Sequence, residues 1–423
     1  MWQRFSRIWK IKALRNNILF VTAMLVIFRL VAHIPVPGVN SENLRRLLEG
    51  NQILGLLNIF SGGTIENFSI VLMGVGPYIT ASIIFQLLAM VIPRLEEIQK
   101  EGESGQQKIN MYTRLATVPL GFLQAFGMIK LLNQSQAGII SNLDAFKFVA
   151  IMITLTAGTI FLMWIGELIT ERKIGNGISL LIFAGIVSAL PNAVQTAIVN
   201  YSPSDLYTYL LFIALAIVTV IGVVIISEGQ RNIPISYARQ VRGTRSFGGA
   251  KSHLPLRINM AGVIPIIFAV SVVLFPPMIA QFFSRGSGFM AQAAQFVIQL
   301  FNNQLFYGVI YFILVFGFTY FYTAVIFQPQ KMAENLQRQG AFIPGIRPGK
   351  QTEEYIAKTM SRLLFPGALF LGLIAILPLI VRAVTGNQSL VIGGTSLLIV
   401  VSVAIETMKQ IEAQLTMYEY DRV

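Results

Sequence analysis

The fold of this chain is decided by residues 56–84, LLNIFSGGTIENFSIVLMGVGPYITASII. This segment contains a short hydrophobic stretch, a polar break and then a longer hydrophobic stretch. Leu56–Phe60 is apolar but far too short to cross a bilayer, which needs about 20 residues of helix. Ser61, Gly62 and Gly63 break it, and a long apolar run follows. A half-helix ahead of a full span predicts a re-entrant element, because irregular backbone at membrane depth is tolerated only when it is buried in protein or lines a cavity. An amphipathic helix on the outer membrane surface is the alternative interpretation.

Apolar segments long enough to span a membrane recur along the chain on both sides of this element. Ten spans are predicted, near Ile18–Pro35, Ile70–Ile92, Leu115–Leu132, Phe148–Ile169, Ile178–Ala197, Tyr207–Ile226, Ala261–Phe282, Leu305–Phe327, Leu363–Val381 and Leu390–Ile411. The composition agrees, since 54% of the residues are hydrophobic and only 12% are charged, against about 25% charged in a typical soluble domain. The predicted fold class is all-α: a polytopic membrane protein of ten transmembrane helices.

The ten spans divide into two sets of five, and an odd number of spans per set gives the two sets opposite orientations. We therefore predict an N-terminal half, residues 1–197, and a C-terminal half, residues 198–423, as pseudo-symmetric inverted halves around a central pore. No sequence repeat relates the halves by eye, so the prediction rests on topology alone.

The distribution of basic residues predicts the orientation. Of the 32 lysines and arginines, 25 fall in the two termini and in alternate loops, whereas six fall on the other side and Arg29 lies in the first span. Because cytoplasmic loops are enriched in lysine and arginine, both termini are expected in the cytoplasm.

Two basic cytoplasmic loops, near 228–257 and 329–362, are longer than the joining of two helices requires. A role in setting the membrane orientation, together with binding of anionic lipid headgroups, would explain the charge of these loops but not their length. Their length favours a docking platform for a soluble partner.

Several function classes lose support because their residues are missing from the sequence. The chain has no cysteine, and it has no phosphate-binding glycine-rich loop, H-E-x-x-H or G-x-S-x-G motif. His33 and His253 lie far apart, so no metal site or cofactor is expected. No Asp or Glu lies near the middle of a predicted span, where ion-coupled transport usually needs one. A secondary transporter of small solutes remains the alternative to a channel, whose apolar constriction can pass varied side chains yet block ions when closed.

Seven motifs then make the analysis specific. They are HIPVPG at 33–38, NIFSGG at 58–63, PYITASII at 77–84, ITERKIGNGISLLIFAGI at 169–186, HLPLRINMAGVIPIIFA at 253–269, GAFIPGIRPGKQT at 340–352 and GGTSLLIVVSVAIE at 393–406. Each resembles the corresponding stretch of the SecY/Sec61-alpha family, in the same order and at similar spacing. The resemblance covers nearly the whole chain.

The resemblance implies a protein-conducting channel that moves unfolded polypeptides across the bacterial plasma (inner) membrane and releases membrane segments laterally into it. The channel would be no enzyme: its energy would come from the ATPase SecA or from the translating ribosome. Expected partners are the small membrane subunits SecE and SecG, SecA, the ribosome, signal sequences and nascent polypeptides.

The resemblance also implies site residues. The pore ring would comprise Val75, Ile79, Ile178, Ile182, Ile267 and Ile399. The plug would comprise Asn58, Ile59, Phe60, Ser61, Gly62, Gly63, Thr64, Ile65, Glu66 and Asn67. The lateral gate would carry Gln86 and Asn259, and the docking residues would be Arg239, Arg242 and Arg347. Val75 departs from the isoleucine usual in the family by one methylene, which leaves the ring apolar.

Overall fold

The computed structural model describes residues 9–37, 43–44, 64–65, 67–134, 144–199, 206–237, 240–242, 245–247, 251–284, 288–385 and 394–420. The helices are α1 Lys12–Ala32, α2 Gly76–Val91, α3 Pro93–Lys100, α4 Glu103–Gln134, α5 Ala145–Glu171, α6 Gly177–Val199, α7 Leu206–Glu228, α8 Ile264–Phe283, α9 Phe289–Asn302, α10 Gln304–Ile326, α11 Pro329–Arg338, α12 Lys350–Thr385 and α13 Gly394–Tyr420. The strands are β1 Gln230–Tyr237, β2 Gln240–Arg242, β3 Arg245–Phe247, β4 Lys251–Arg257 and β5 Ala341–Phe342.

The helices confirm a polytopic all-α membrane fold. Each of the ten predicted spans overlaps a helix: α1, α2, α4, α5, α6, α7, α8, α10, α12 and α13. Within the described residues, five segments are long and apolar enough to cross a bilayer alone: Lys12–Ala32, Ala145–Glu171, Leu210–Glu228, Gln304–Arg338 and Lys350–Val381. The α2–α3 pair, bent by 102°, would make a sixth. The exact number of ten spans stays a prediction.

The chain forms two compact units. The first comprises residues 1–206, 271–303 and 403–423, and the second comprises residues 207–270 and 304–402. The predicted halves, 1–197 and 198–423, stay a prediction.

The first unit has two hydrophobic cores among its described residues. One joins the turns before α2 to α4 and α5, and its largest fully buried side chains include Phe68, Leu132 and Leu155. The other joins the two ends of the chain, where Leu14 of α1 packs with Leu415 of α13. The second core fixes the end of α13 beside the start of α1.

Helices of the second unit pack closely at glycines. A Cβ at Gly372 of α12 would lie 2.7 Å from the Phe312 ring of α10, and one at Gly222 of α7 would lie 2.7 Å from the Phe370 ring of α12. Such contacts let aromatic rings rest on the neighbouring backbone, as is common between helices in membranes.

The second unit also contains a small sheet that the sequence did not predict. Its strand order is β4-β1-β5, with β1 antiparallel to both neighbours. Tyr237 of β1 pairs with Ala341 of β5, so the two long loops fold together as one structure. A shared hydrophobic core lies beneath the sheet, comprising Ile233, Ile235, Leu256, Phe327, Leu336, Ala341, Ile343, Ile356 and Met360.

Candidate channel elements and docking site

Residues 67–75, which lead into α2, form consecutive turns held by backbone hydrogen bonds to the end of the first span. Val36 N donates to Phe68 O at 2.9 Å, and Ile70 N donates to Ile34 O at 3.1 Å. The Ser69 hydroxyl donates to Val31 O at 3.0 Å. These bonds satisfy backbone groups that would otherwise be buried without partners, as irregular structure inside a packed protein requires.

The same turns are packed tightly within the first unit. Phe68 is fully buried and has φ of +42°, a backbone conformation that is uncommon outside glycine. Gly158 of α5 lies against the turns so closely that a Cβ there would overlap the carbonyl oxygen of Ile70. The turns of residues 67–75 are therefore held rigidly and fix the start of α2.

The predicted plug lies mostly outside the described residues, which leave out Asn58–Gly63 and Glu66. Of its C-terminal part, Thr64 and Ile65 are buried and Asn67 is half-buried. The Thr64 hydroxyl donates to Leu72 O at 3.3 Å. This end of the predicted plug is thus attached to the turns just described.

Helix α2 carries the predicted ring residue Ile79 and the predicted gate residue Gln86, and the predicted ring residue Val75 directly precedes it as the N-cap. Val75 and Ile79 are both buried. Farther along, Gln86 Nε2 donates to Ser82 Oγ at 3.2 Å. Its Oε1 is buried and accepts no hydrogen bond within the described part of the chain. A buried amide oxygen without a hydrogen bond costs free energy. The Gln86 Oε1 is therefore available to accept a hydrogen bond from a new donor.

The start of α6, which carries two further ring residues, is fixed by side-chain caps. Ser179 N donates to Asn176 Oδ1 at 3.1 Å, and Gly177 N donates to Thr170 Oγ1 at 2.9 Å. From α13, Gln414 Nε2 donates to Lys173 O at 2.7 Å. Caps of this kind satisfy amides that a helix terminus leaves without partners.

The two ring candidates on α6 differ in their surroundings. Ile182 is 2% exposed. Ile178 is half-buried and its Cδ1 lies close to the backbone of Gly166 of α5. A Cβ added to Gly166 would be only 2.6 Å from that Cδ1. Ile178 therefore packs against α5, and a role in the ring rests on the remainder of its side chain.

The second unit holds the other ring and gate candidates. Ile267 lies in the first turn of α8 and Ile399 in the second turn of α13, and both are buried. Ahead of α8, Asn259 Nδ2 donates to Gly262 O at 3.2 Å in a turn where Gly262 has φ of +63°. Asn259 Oδ1 is buried and, among the described residues, accepts no hydrogen bond. Asn259 thus resembles Gln86 in keeping a free acceptor.

Arg347 lies in the turn that joins β5 to α12. Gly345 and Gly349 on either side have φ of +83° and +98°, which glycine adopts without steric cost. The hydroxyl of Thr352, a buried residue, donates to Arg347 O at 2.8 Å. The backbone of the turn is fixed while the Arg347 side chain is exposed, so the turn presents a single guanidinium outward.

Several other basic residues of the described loops are paired with carboxylates. Lys100 lies 2.6 Å from Glu96, and Arg338 lies 4.0 Å from Glu334. Lys108 donates to Glu101 at 2.8 Å, and this hydrogen bond raises the pKa of Lys108. Arg347 has no ion pair with any residue that the structure describes.

The two other predicted docking residues are less defined. Arg239 lies outside the described residues, and Arg242 ends β2, where its backbone pairs with Arg245 of β3. Sequence reasoning also missed Thr352 and Gln414. A threonine five residues after Arg347 carries no periodic signal, and the Gln414 contact joins positions 241 residues apart. Among the described residues, no group of three or more His, Cys, Asp or Glu side chains could hold a metal ion.

The chain is similar to known proteins over its whole length. A family model described as SecY matches residues 69–408. The protein translocase subunit SecY of Halalkalibacterium halodurans is 45% identical, with 99% of each chain covered. A chain from the structure of a protein conducting channel superposes with a TM-score of 0.62 at 17% identity, covering 93% of this chain and 91% of that one. Sec61 in the canine ribosome-channel complex from the endoplasmic reticulum has a TM-score of 0.57 at 15% identity, with the same coverage of both chains.

Proposed function

Because the chain belongs to the SecY family, we propose that it forms the channel of a protein translocase, through which polypeptides cross a membrane. The end-to-end similarity to a protein translocase subunit carries this conclusion, and the predicted family is confirmed. The protein is a channel subunit and not an enzyme, and a secondary transporter of small solutes is not favoured.

We propose that the constriction of this channel is a ring of Val75, Ile79, Ile178, Ile182, Ile267 and Ile399. The apolar side chains of such a ring provide no fixed polar partner, so an extended polypeptide can slide past while a narrow empty neck excludes water and ions. Burial of Ile182 and Ile399 supports the proposal, and Ile178 is the weakest member because it packs on α5.

We propose that Asn58–Asn67 acts as a plug that closes the channel from the outer side. The attachment of Thr64 and Ile65 to the turns before α2 supports a plug whose base is fixed.

For the lateral gate, we propose that Gln86 and Asn259 hold the closed state by amide hydrogen bonding. Each keeps a buried acceptor without a partner among the described residues, and hydrogen bonds between helices in membranes are worth about 1–2 kcal/mol or less. A signal sequence could therefore displace them.

The partners and the membrane are proposed on the same basis. We infer a bacterial plasma membrane location with cytoplasmic termini, supported by the bias of basic residues. SecE and SecG would be the membrane partners, and SecA and the ribosome would dock at Arg239, Arg242 and Arg347. Signal sequences and nascent polypeptides would occupy the channel, with anionic lipids around the basic loops. Purification of the chain under mild conditions should recover two small membrane proteins, and recovery of the chain alone would contradict the assembly.

Gly158→Ala is expected to weaken the base of the plug. The added methyl group overlaps the carbonyl oxygen of Ile70, so the turns before α2 must move, at a cost of about 1–3 kcal/mol for overpacking. Thermal unfolding in detergent should shift to lower temperature, and ion leak through empty channels in planar bilayers should rise. Gly317→Ala in α10 is the control, because its Cβ would meet nothing within 4 Å. Equal leak in both variants would contradict a fixed plug base.

Cross-linking at single cysteines tests the proposed channel directly, because the chain has no native cysteine. A preprotein arrested during translocation should cross-link through its mature part to Ile182→Cys, and through its signal sequence to Gln86→Cys or Asn259→Cys. Ile153→Cys is the control, since Ile153 of α5 is 52% exposed on the helix exterior. Cross-links to Ile153→Cys that match those to Ile182→Cys would contradict the proposed path.

A further inference from the structure

Helix α9, Phe289–Asn302, is a feature that none of the ten predicted spans includes. Its sequence, FMAQAAQFVIQLFN, contains no charged residue. It belongs to the first compact unit and lies in sequence between α8 and α10, each of which overlaps a predicted span. With 14 residues, it is too short to cross a bilayer.

The side chains of α9 divide into three faces at helical spacing. The packed face comprises Ala291, Ala294, Ile298 and Phe301, of which the two alanines are each 6% exposed. A second face is apolar and mostly exposed, comprising Phe289, Met290, Ala293, Phe296, Val297 and Leu300. A third face is exposed and consists only of uncharged amides, namely Gln292, Gln295, Gln299 and Asn302.

The exposed apolar face is large for a surface in water. Phe289 is 82% exposed, Met290 63% and Phe296 62%. Contiguous apolar surface of this kind marks a site of interaction with protein or membrane. The amide face beside it has the polarity that water and lipid headgroups solvate.

The position of α9 along the chain selects the membrane as the partner. A single residue, Asn303, separates α9 from α10, whose first residue is Gln304. Consecutive Cα atoms are about 3.8 Å apart, so the end of α9 lies where a membrane-spanning helix begins. An amphipathic helix at that level meets the boundary between headgroups and acyl chains.

We propose that α9 is an interfacial helix that lies in the membrane plane, with Phe289, Met290 and Phe296 inserted among the lipid acyl chains. Its packed face rests on the protein and its amide face contacts water and headgroups. Because α9 has no charge, the apolar side chains provide the binding and anionic lipid is not required. The orientation proposed above places α9 on the outer surface, where it holds the connection between α8 and α10 at a constant depth. The proposal goes beyond channel function and depends only on α10 crossing the membrane.

Spin labels at single cysteines, introduced into the cysteine-free chain, test whether α9 lies in the membrane interface. Phe296→Cys and Gln295→Cys are consecutive positions, so their side chains point about 100° apart around the helix. The full chain, with its co-purifying subunits, would be labelled with a nitroxide and reconstituted into phospholipid vesicles. Collisions with oxygen, which concentrates in the acyl region, should dominate at Phe296→Cys, and collisions with a water-soluble nickel complex should dominate at Gln295→Cys. Met290→Cys should behave like Phe296→Cys, at a depth of about 5–10 Å below the headgroups.

Each other result overturns the proposal. Nickel access at both positions would place α9 clear of the membrane, and oxygen access at both would place it wholly inside. Protection of Phe296→Cys from both reagents would show that a protein covers the apolar face. The depth should also be the same in neutral phosphatidylcholine vesicles, and immersion that needs anionic lipid would contradict binding by apolar insertion.

Discussion

Ile399→Asn is expected to open the channel to preproteins with defective signal sequences and to raise its ion leak. Ile399 is fully buried in α13, and we propose that it lines the constriction. An amide without partners in a dry neck costs about 1–3 kcal/mol, and this cost disappears when the neck widens and fills with water. At 1.4 kcal/mol for each factor of ten, the balance should shift towards the open state by about 5- to 150-fold. The measurements are export of a signal-defective reporter and conductance of single channels in bilayers.

The control for Ile399→Asn must separate gating from general damage. Ile374 of α12 is also buried in the second unit, at 5% exposure, and it is not a predicted ring residue. Ile374→Asn should destabilise the protein without raising export of the reporter, whereas Ile399→Val should behave almost like wild type. If Ile399→Asn leaves signal stringency unchanged at a normal protein level, Ile399 is a packing residue.

The sequence predicts the positions of the apolar helices well because each one is a local signal: a long apolar run. It predicts helix ends less well where tertiary bonds decide them. The second span was placed at Ile70–Ile92, but α2 begins only at Gly76. Residues 67–75 form turns instead, because their backbone bonds to Ile34 and Val36, the Ser69 hydroxyl bonds to Val31 O, and Gly74 has φ of +56°.

Long-range pairing explains the other omissions. The two long loops were predicted to form a docking platform, but no contact between them was predicted; β5, only two residues long, pairs with β1 about a hundred residues earlier in the chain. No periodicity reveals a two-residue strand. Helix α9 was missed because it is too short to indicate a span and contains no charged residue that would mark an amphipathic helix. Arg347 was singled out through its motif, whereas nothing in that motif indicated that Thr352, its last residue, holds the Arg347 carbonyl.

Arg347→Glu is expected to abolish transport of a preprotein into vesicles driven by SecA, and Arg347→Lys to reduce it strongly. The guanidinium is exposed on a turn whose backbone is held by Thr352 and flanked by two glycines of positive φ. Arginine has five donors in a rigid fork that suits carboxylates and backbone carbonyls, whereas lysine provides a single flexible ammonium. The loss of one hydrogen bond to a charged group costs about 1.5–3 kcal/mol, so transport by the lysine variant should fall by about 10- to 150-fold.

The lysine variant separates docking from topology, because the orientation of spans depends on charge and not on the shape of the charged group. Arg338 in the same folded unit is the matched control: it is exposed, but its guanidinium lies 4.0 Å from Glu334. Arg338→Lys should transport normally, since lysine preserves that pairing on the surface of α11. If Arg347→Lys reaches the membrane at a normal level and transports poorly, the fork of donors is needed, and binding of SecA to the variant should weaken in parallel. Full transport by Arg347→Lys would instead show that Arg347 contributes only a positive charge, despite the fixed turn that presents it.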